Sequence, residues 1–169
     1  MKTKFTFDNN TFRHAMNGHE SVLHCHHYMA LTSKLAMDFD AMGGTRILKE
    51  SAEDSVRPLL DDYFTQNSIS DAKQRLQIGA EYFGIMGMGV MKISGDDKTG
   101  EVKLTHSHVD EGWIKKWGKS SKPVNHFTCG YANAVFAAAY SLPPRSFQSM
   151  EVSSIALGDE EAIISVKRS

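Results

Sequence analysis

The stretch GMGVMKISGDDKTGEVKLTHSHV, residues 87–109, decides the fold class of this chain. Apolar and polar residues alternate on either side of the segment SGDDKTG, which is dense in turn-forming residues and predicts a β-hairpin. A second hairpin is predicted where residues 149–157 and 162–167 flank the turn GDEE, residues 158–161. Because a hairpin pairs its strands antiparallel, the two hairpins together predict an antiparallel sheet.

Four helices are predicted around these hairpins from the spacing of apolar residues. They cover residues 20–39, 51–64, about 71–82 and 126–140. Gly43-Gly44 is expected to end the first helix, whereas Pro58 is expected to kink the second or to delay its start. The order of elements indicates an α+β fold, with helices packed on a sheet of antiparallel hairpins in a single domain of residues 1–169.

Composition narrows the class of protein. The chain has 169 residues, 41% hydrophobic and 23% charged, with a formal net charge of −1. That balance is typical of a soluble globular protein and gives no basic stripe for nucleic acid. No run of about 18 apolar residues predicts a membrane span, and no apolar core of a signal peptide is present. The two cysteines, Cys25 and Cys129, are too few for a disulfide framework, so we expect a cytoplasmic protein.

The histidines are unevenly placed. Five of the eight lie in the first 27 residues, and the others are His106, His108 and His126. His24 and His27 share one face of the first predicted helix, because residues three apart are neighbours there. On a strand over 101–109, His106 and His108 point to the face that carries the apolar residues. Each pair has two interpretations. It is a set of metal ligands, or it is structural, with His24 and His27 on a polar helix face and His106 and His108 in the core.

A metal site is expected only if the fold brings the early and the late histidines together. Such a set would supply three or four imidazole nitrogens, which suit zinc, iron or a haem iron. The candidate ligands are His24, His27, His106, His108 and His126.

Two further patterns are able to carry chemistry. Asp110 and Glu111 can supply a base, although a solvated turn is the ordinary role of such a pair. If a helix begins at His126, its positive end favours a thiolate at Cys129, and a Cys–His pair is a nucleophile pattern. No third group orients that pair in the sequence, so it is the weaker hypothesis.

The segment EVSSIALGDEEAII, residues 151–164, carries a family pattern. It is similar to E-x-x-C-x-A-x-G-D-x-x-C-x-F, the last third of the 4-vinyl reductase domain, a module of predicted hydrocarbon-binding proteins. The matching positions here are Glu151, Ala156, Gly158 and Asp159, together with Gly112-Trp113, His126-Phe127 and Gly130. The resemblance covers residues 45–168, whereas the histidine-rich helical segment 1–44 is less typical of the family.

The resemblance implies a mixed α/β fold like that of the vesicle-tethering TRAPP subunits, an internal apolar pocket and a homodimer. It also implies zinc where the family has its two cysteines. Ser154 and Ala162 stand at those positions, and neither supplies a thiolate. We therefore expect this zinc site to be absent.

Candidate pocket residues are the adaptable or aromatic side chains near the predicted hairpin and the fourth helix. They are Met86, Met88, Met91, Trp113, Phe127 and Cys129. For the methionines, ordinary core filling is the alternative. Trp113 and Trp117, four residues apart, either cover a pocket mouth or a dimer surface, or belong to the core.

Three functions fit these features. The first is a binding module, a sensor or carrier of a small apolar or tetrapyrrole-like ligand, which the resemblance and the candidate pocket favour. The second is an enzyme, either a reductase of a tetrapyrrole vinyl group or a metal-dependent lyase or hydrolase that uses the histidines. The reductase lacks support, because the glycines of GIMGMGVM do not open a helix after a strand as a dinucleotide site requires. The third is an assembly protein like the tethering subunits.

Overall fold

A computed structural model describes all 169 residues and confirms the α+β class. Its elements in chain order are β1 Phe5–Asp8, β2 Arg13–Met16, β3 His19–Ser21, α1 His26–Asp38, α2 Gly44–Gln66, α3 Ala72–Ile85, β4 Gly89–Gly95, β5 Thr99–Ser107, α4 His108–Trp117, α5 His126–Ala139, β6 Phe147–Ser153 and β7 Ala162–Arg168. Short 3₁₀ turns follow α1 and β6. None of the helices combines the length and the apolar character that crossing a membrane requires.

Both predicted hairpins are confirmed, and they join into one antiparallel sheet with the strand order β4-β5-β7-β6. The central strands β5 and β7 pair with Val102 opposite Ile164, and both of these side chains are fully buried. Gly95 and Gly100 leave room beside the sheet for the ring of Phe136 in α5, since a Cβ at Gly100 would lie 2.0 Å from that ring. One face of the sheet therefore packs directly on α5.

Helix α5 is the centre of the molecule, and its residues from Thr128 to Ala139 are buried. Its small residues let neighbouring helices approach closely. A Cβ at Gly130 would lie 2.0 Å from the carbonyl oxygen of Lys49 in α2. The hydroxyl of Tyr131 donates a 2.7 Å hydrogen bond to the carbonyl of Gly79 in α3. Helices α2 and α3 are thus held against α5 at backbone distance.

A β-bulge near the end of β5 overturns the prediction that His106 and His108 share a strand face. The pairing of β4 with β5 shifts register here and leaves Thr105 without a partner. An extra residue reverses the alternation of a strand, so Ser107 is buried and His106 is exposed. The strand then ends, because the side chain of Ser107 accepts a hydrogen bond from the backbone N–H of Asp110 and caps α4. His108 is the first residue of that helix.

The N-terminal residues form a second antiparallel sheet, β1-β2-β3, which was not predicted. The helix expected over residues 20–39 begins only at His26. A two-residue turn joins β2 to β3, and both of its residues, Asn17 and Gly18, have positive φ angles of 53° and 88°. Met16, just before this turn, is buried in the main core. The small sheet is therefore attached to the body of the molecule.

The bounds of two other elements are corrected. Helix α2 begins at Gly44 rather than at residue 51, and it continues through Pro58 to residue 66. The strand expected over residues 149–157 ends at Ser153, after which the chain makes a 3₁₀ turn. That turn closes at Gly158 with φ at 106°, in the left-handed region that favours glycine.

Candidate ligand-binding site

An apolar cavity of about 260 Å³ lies between the N-terminal sheet and helices α2, α3 and α5. Most of its lining is hydrophobic, and the segment between β3 and α1 forms part of its wall. The lining residues are Phe5, His14, Met16, His19, Glu20, Ser21, Val22, Leu23, His24, Leu59, Tyr82, Ile85, Met86, Met88 and Phe127. The N-terminal sheet and the segment after it thus supply more than half of the wall.

A few polar groups stand in this apolar wall. Tyr82 is only 4% exposed, and burial raises its pKa to about 12, so its hydroxyl stays protonated and is able to donate a hydrogen bond. His19 Nε2 lies 3.3 Å from Asp62 Oδ2, which ties the small sheet to α2. The ring of His14 lies 4.6 Å from that of Phe7. An apolar body with a few convergent polar groups is typical of small-molecule sites.

The predicted pocket residues divide into two groups. Met86, Met88 and Phe127 line this cavity. Met91 is buried in the core, and Trp113 is buried against Trp117, with ring centroids 4.8 Å apart. Cys129 is buried beside a different cleft. Three of the six predicted pocket residues thus lie in the wall of this cavity, and the side that the N-terminal sheet supplies was not predicted.

A signal for the missed side was present in the sequence. The turn Asn17-Gly18 between two short segments is among the strongest local indications of a hairpin. The alternation Phe5-Thr6-Phe7 is also typical of a strand.

The structure brings part of the early histidine run to one of the late histidines. The ring of His108 lies 5.5 Å from that of His24 and 5.9 Å from that of His26. Gly112 allows this approach, because a Cβ there would lie 2.7 Å from the carbonyl oxygen of His26. Burial lowers the pKa of His108, and the neighbouring His24 and His26 lower it further. His108 is thus a neutral imidazole packed beside the cavity wall.

The other three proposed ligands lie elsewhere or point outward. His106 is exposed, with Nδ1 3.2 Å from Glu111 Oε1, and His27 is also exposed. His126 lines a separate cleft with Lys49, and burial lowers its pKa to about 4. No three or more histidine, cysteine, aspartate or glutamate side chains are arranged as a metal site.

Asp110 is not part of a solvated turn but is fully buried in a polar network. Its carboxylate accepts hydrogen bonds from Ser107 Oγ, from Asn125 Nδ2 at 2.8 Å and from Ser154 Oγ at 3.0 Å. Ser154, at a family cysteine position, is thus engaged with a carboxylate, and Ala162 has no ligand atom. These residues do not fit a zinc ion.

Glu151 is the second buried carboxyl in this region. One of its oxygens accepts the backbone N–H groups of Val124 and Asn125, each at 3.1 Å. Its other oxygen is buried without a hydrogen-bond partner. Burial, reinforced by the nearby Asp110, raises the pKa of Glu151 to about 7.

The proposed pairing of His126 with Cys129 has the wrong environment for a nucleophile. Cys129 is 1% exposed, and burial raises the pKa of its thiol to about 11. A buried neutral thiol is not activated for attack. Cys129 instead packs in the core beside α2.

Solved structures share this fold. The phenol-responsive sensory domain of the transcription activator PoxR, crystallised with phenol, superposes with a TM-score of 0.77 over 97% of this chain and 84% of that domain, at 16% identity. Trafficking protein particle complex subunit 3 from Naegleria fowleri, covalently bound to palmitic acid, gives a TM-score of 0.52 over 82% and 95%, at 11% identity. No protein-family model and no curated protein matches the chain. The expected likeness to the TRAPP fold is confirmed.

Proposed function

We propose that this chain is a sensory domain that binds a compact apolar molecule, such as a phenol, in the cavity beneath its N-terminal sheet. The observation that carries the proposal is the cavity itself, which is apolar, about 260 Å³ in volume and walled by two separate parts of the chain. The PoxR domain responds to phenol, which supports an aromatic ligand for the same fold.

The size of the cavity favours a single ring over a tetrapyrrole. A protein cavity of about 150 Å³ is enough to hold benzene. The cavity here is larger by about the space of a few substituent atoms, and it is far too small for a macrocycle of four pyrroles. The protonated hydroxyl of Tyr82 offers a hydrogen bond to a phenolic oxygen.

Thermal unfolding with phenol, toluene and palmitate tests this function. Phenol at about 100 times its dissociation constant is expected to add about 2.7 kcal/mol to the free energy of unfolding. Met86→Trp fills the cavity and should abolish the effect, whereas Met150→Trp, on the exposed face of β6, should leave it intact. Stabilisation by palmitate alone, or an equal response of both variants, would contradict the proposal.

We also propose that the domain forms a homodimer through helix α1. Large hydrophobic side chains are exposed along this helix and just after it, namely Tyr28, Leu31, Leu35, Phe39, Met42 and Ile47. A standard interface buries about 800 Å² on each partner, and an exposed apolar patch of this kind is suited to such an interface.

The spacing of these side chains supports pairing with a second copy. Tyr28, Leu31 and Leu35 lie along one face of α1, and Phe39 and Met42 follow after the helix ends at Asp38. Such a face is able to pair with the same face of a second copy about a twofold axis. Sedimentation of Leu35→Lys should show a monomer, while Val152→Lys on β6 should sediment like the parent protein.

The chemistry of the cysteines supports a reducing compartment. Cys25 and Cys129 are both free, and Cys25 is exposed. An exposed thiol persists where glutathione keeps it reduced, so we propose that the domain works in the cytoplasm.

A further inference from the structure

A second cavity, of about 430 Å³, shares no residue with the apolar one and has the opposite character. It lies between the first turns of α2, the middle of α5 and the chain that enters β6. Phe147 is the one hydrophobic residue among the ten that line it. The cavity is therefore suited to a polar occupant.

Asn133 is the feature of this cavity that the fold does not explain. It stands in the buried helix α5 among Ala132, Ala134 and other apolar residues, and it is 7% exposed. Its Oδ1 atom is buried without a hydrogen-bond partner. An unpaired buried polar group destabilises a fold, and a leucine of similar size would remove that cost. The carboxamide lines the cavity, where an occupant is able to satisfy it.

Two cations with free hydrogen-bonding capacity face the same space. Lys49 Nζ donates one 3.0 Å hydrogen bond to the carbonyl of Ser149, and an ammonium has two further donors. Arg46 uses Nη1 on Glu50, at 2.9 and 3.0 Å, which leaves its other guanidinium nitrogens free. Both side chains line the cavity.

The rest of the wall of this polar cavity is held together by hydrogen bonds and ion pairs. Glu53, which is 1% exposed, accepts the backbone N–H of Arg145 at 2.7 Å and pairs with its guanidinium at 2.9 Å. Asp54 accepts the same guanidinium at 2.8 Å. These bonds hold Arg145 in a conformation with φ at 68°. The guanidinium of Arg145 is thus paired with two carboxylates, and that of Arg46 is paired with Glu50. Lys49 is the cationic side chain of this lining that no carboxylate pairs.

We propose that this cavity binds a small carboxylate that also carries a hydroxyl or amino group. The carboxylate would lie against Lys49 and Arg46. The hydroxyl or amino group would contact the carboxamide of Asn133. In the present orientation Oδ1 has no accessible surface and the amide NH₂ is the donor on the cavity side, whereas turning the amide over exchanges the two atoms and brings the unpaired oxygen to the ligand.

Lactate and propionate are the probes that test this site, because they differ by one hydroxyl. Both enantiomers of lactate are titrated by calorimetry into the full chain. The better enantiomer is expected to bind about tenfold more tightly than propionate, the difference made by one satisfied hydrogen bond. Asn133→Leu should remove that preference without lowering the melting temperature. Lys49→Met should weaken both ligands, whereas Lys92→Met, on the exposed side of β4, should weaken neither.

Several outcomes would overturn the proposed carboxylate site. Equal binding of lactate and propionate, or a preference that survives Asn133→Leu, would mean that water alone satisfies the carboxamide. No binding at millimolar concentrations would overturn the proposal as well. If leucine prevents folding, Asn133→Ala makes the same comparison. Stabilisation by phenol is expected to persist in Asn133→Leu, so this test and that of the apolar cavity succeed or fail separately.

Discussion

Tyr82 is the buried polar residue of the apolar cavity, and under the proposed function we expect selectivity to come from its hydroxyl. Its pKa of about 12 means that the hydroxyl is a donor at every physiological pH. The other walls of the cavity contribute mainly apolar surface, so we expect them to bind phenol and toluene about equally well. A preference for the hydroxylated ring must then come from a polar side chain.

Tyr82→Phe is expected to weaken the binding of phenol and to leave the binding of toluene unchanged. Loss of one neutral hydrogen bond costs about 0.5–1.5 kcal/mol, which is roughly two- to tenfold in affinity. Calorimetric titration of both compounds into both proteins measures it. An equal loss for phenol and toluene would show that the ring packs on Tyr82 without using its hydroxyl.

Glu151 is expected to make stability depend on pH near neutrality. Burial raises its pKa from 4.5 to about 7, so the native state holds its proton more tightly than the unfolded chain does. Between those two values the native state binds more protons, and the contribution of Glu151 to the free energy of unfolding falls as pH rises. His126 acts in the opposite sense, because burial lowers its pKa to about 4.

Glu151→Gln separates the effect of the Glu151 carboxyl on stability from the opposing effect of His126. Glutamine keeps an oxygen for the N–H groups of Val124 and Asn125 but does not ionise. Relative to the parent protein, the variant should gain stability in urea unfolding between pH 5 and pH 8. Parallel pH profiles for the two proteins would show that Glu151 ionises freely in the native state.

At the scale of elements, the N-terminal sheet is the part of the cavity wall that we expect to open most easily, because Met16 is its only buried residue. Met16 is held in the main core, and the contact of His19 with Asp62 is a further attachment. Elements with few buried contacts open at lower free energy than the core does. Under the proposed function we therefore expect a ligand to enter where this sheet opens.

Met16→Ala is expected to loosen this sheet without unfolding the core. Removing a buried methionine side chain costs about 2–5 kcal/mol, and here the loss falls on the attachment of one small element. Amide hydrogens of residues 5–21 should exchange faster, those of α5 should keep their protection, and phenol should bind more weakly. Thr6→Ala, at an exposed position of the same sheet, is the control. Equal acceleration of exchange in α5 would mean that the sheet and core unfold together.

The elements that the sequence predicted correctly are those whose signals are local. The segment SGDDKTG sits between two alternating strands, and the hairpin there needs no information from distant residues. Helix α4 was not predicted, because the alternation of apolar and polar residues in β5 continues past Ser107. The helix start is nevertheless marked in the sequence, since Ser107 and Asp110 form the Ser-x-x-Asp pattern. The bulge at Thr105 depends on pairing with β4, which the sequence of β5 alone does not contain.

The cavity itself belongs to the scale of the whole molecule. Phe5, Leu59 and Phe127 line one space although they are separated by more than 50 residues along the chain. Periodicity predicts that each side chain faces inward, but not which of them meet. The same limit explains the histidines, since His24 meets His108 only because α1 packs on α4.

The two cavities depend on one pair of helices. Leu59 of α2 and Phe127 of α5 line the apolar cavity, while Lys49 and Asn133 of the same helices line the polar one. The distance between α2 and α5 is set by Gly130, where a Cβ would meet the carbonyl oxygen of Lys49 at 2.0 Å. Because backbone atoms cannot rotate away as a side chain does, a methyl group there must move one helix.

Gly130→Ala is therefore expected to lower stability by about 1–3 kcal/mol and to weaken phenol and lactate together. Gly84→Ala is the matched control, since Gly84 lies in α3 and a Cβ there would find its nearest atom at an ordinary 3.5 Å. That control should be neutral or stabilising by up to about 1 kcal/mol, because alanine favours a helix. Urea unfolding measures the change in stability, and titrations with phenol and with lactate measure the two affinities. If Gly130→Ala lost only one ligand, the helices would be able to separate at one end alone, and the two sites would not share a rigid frame.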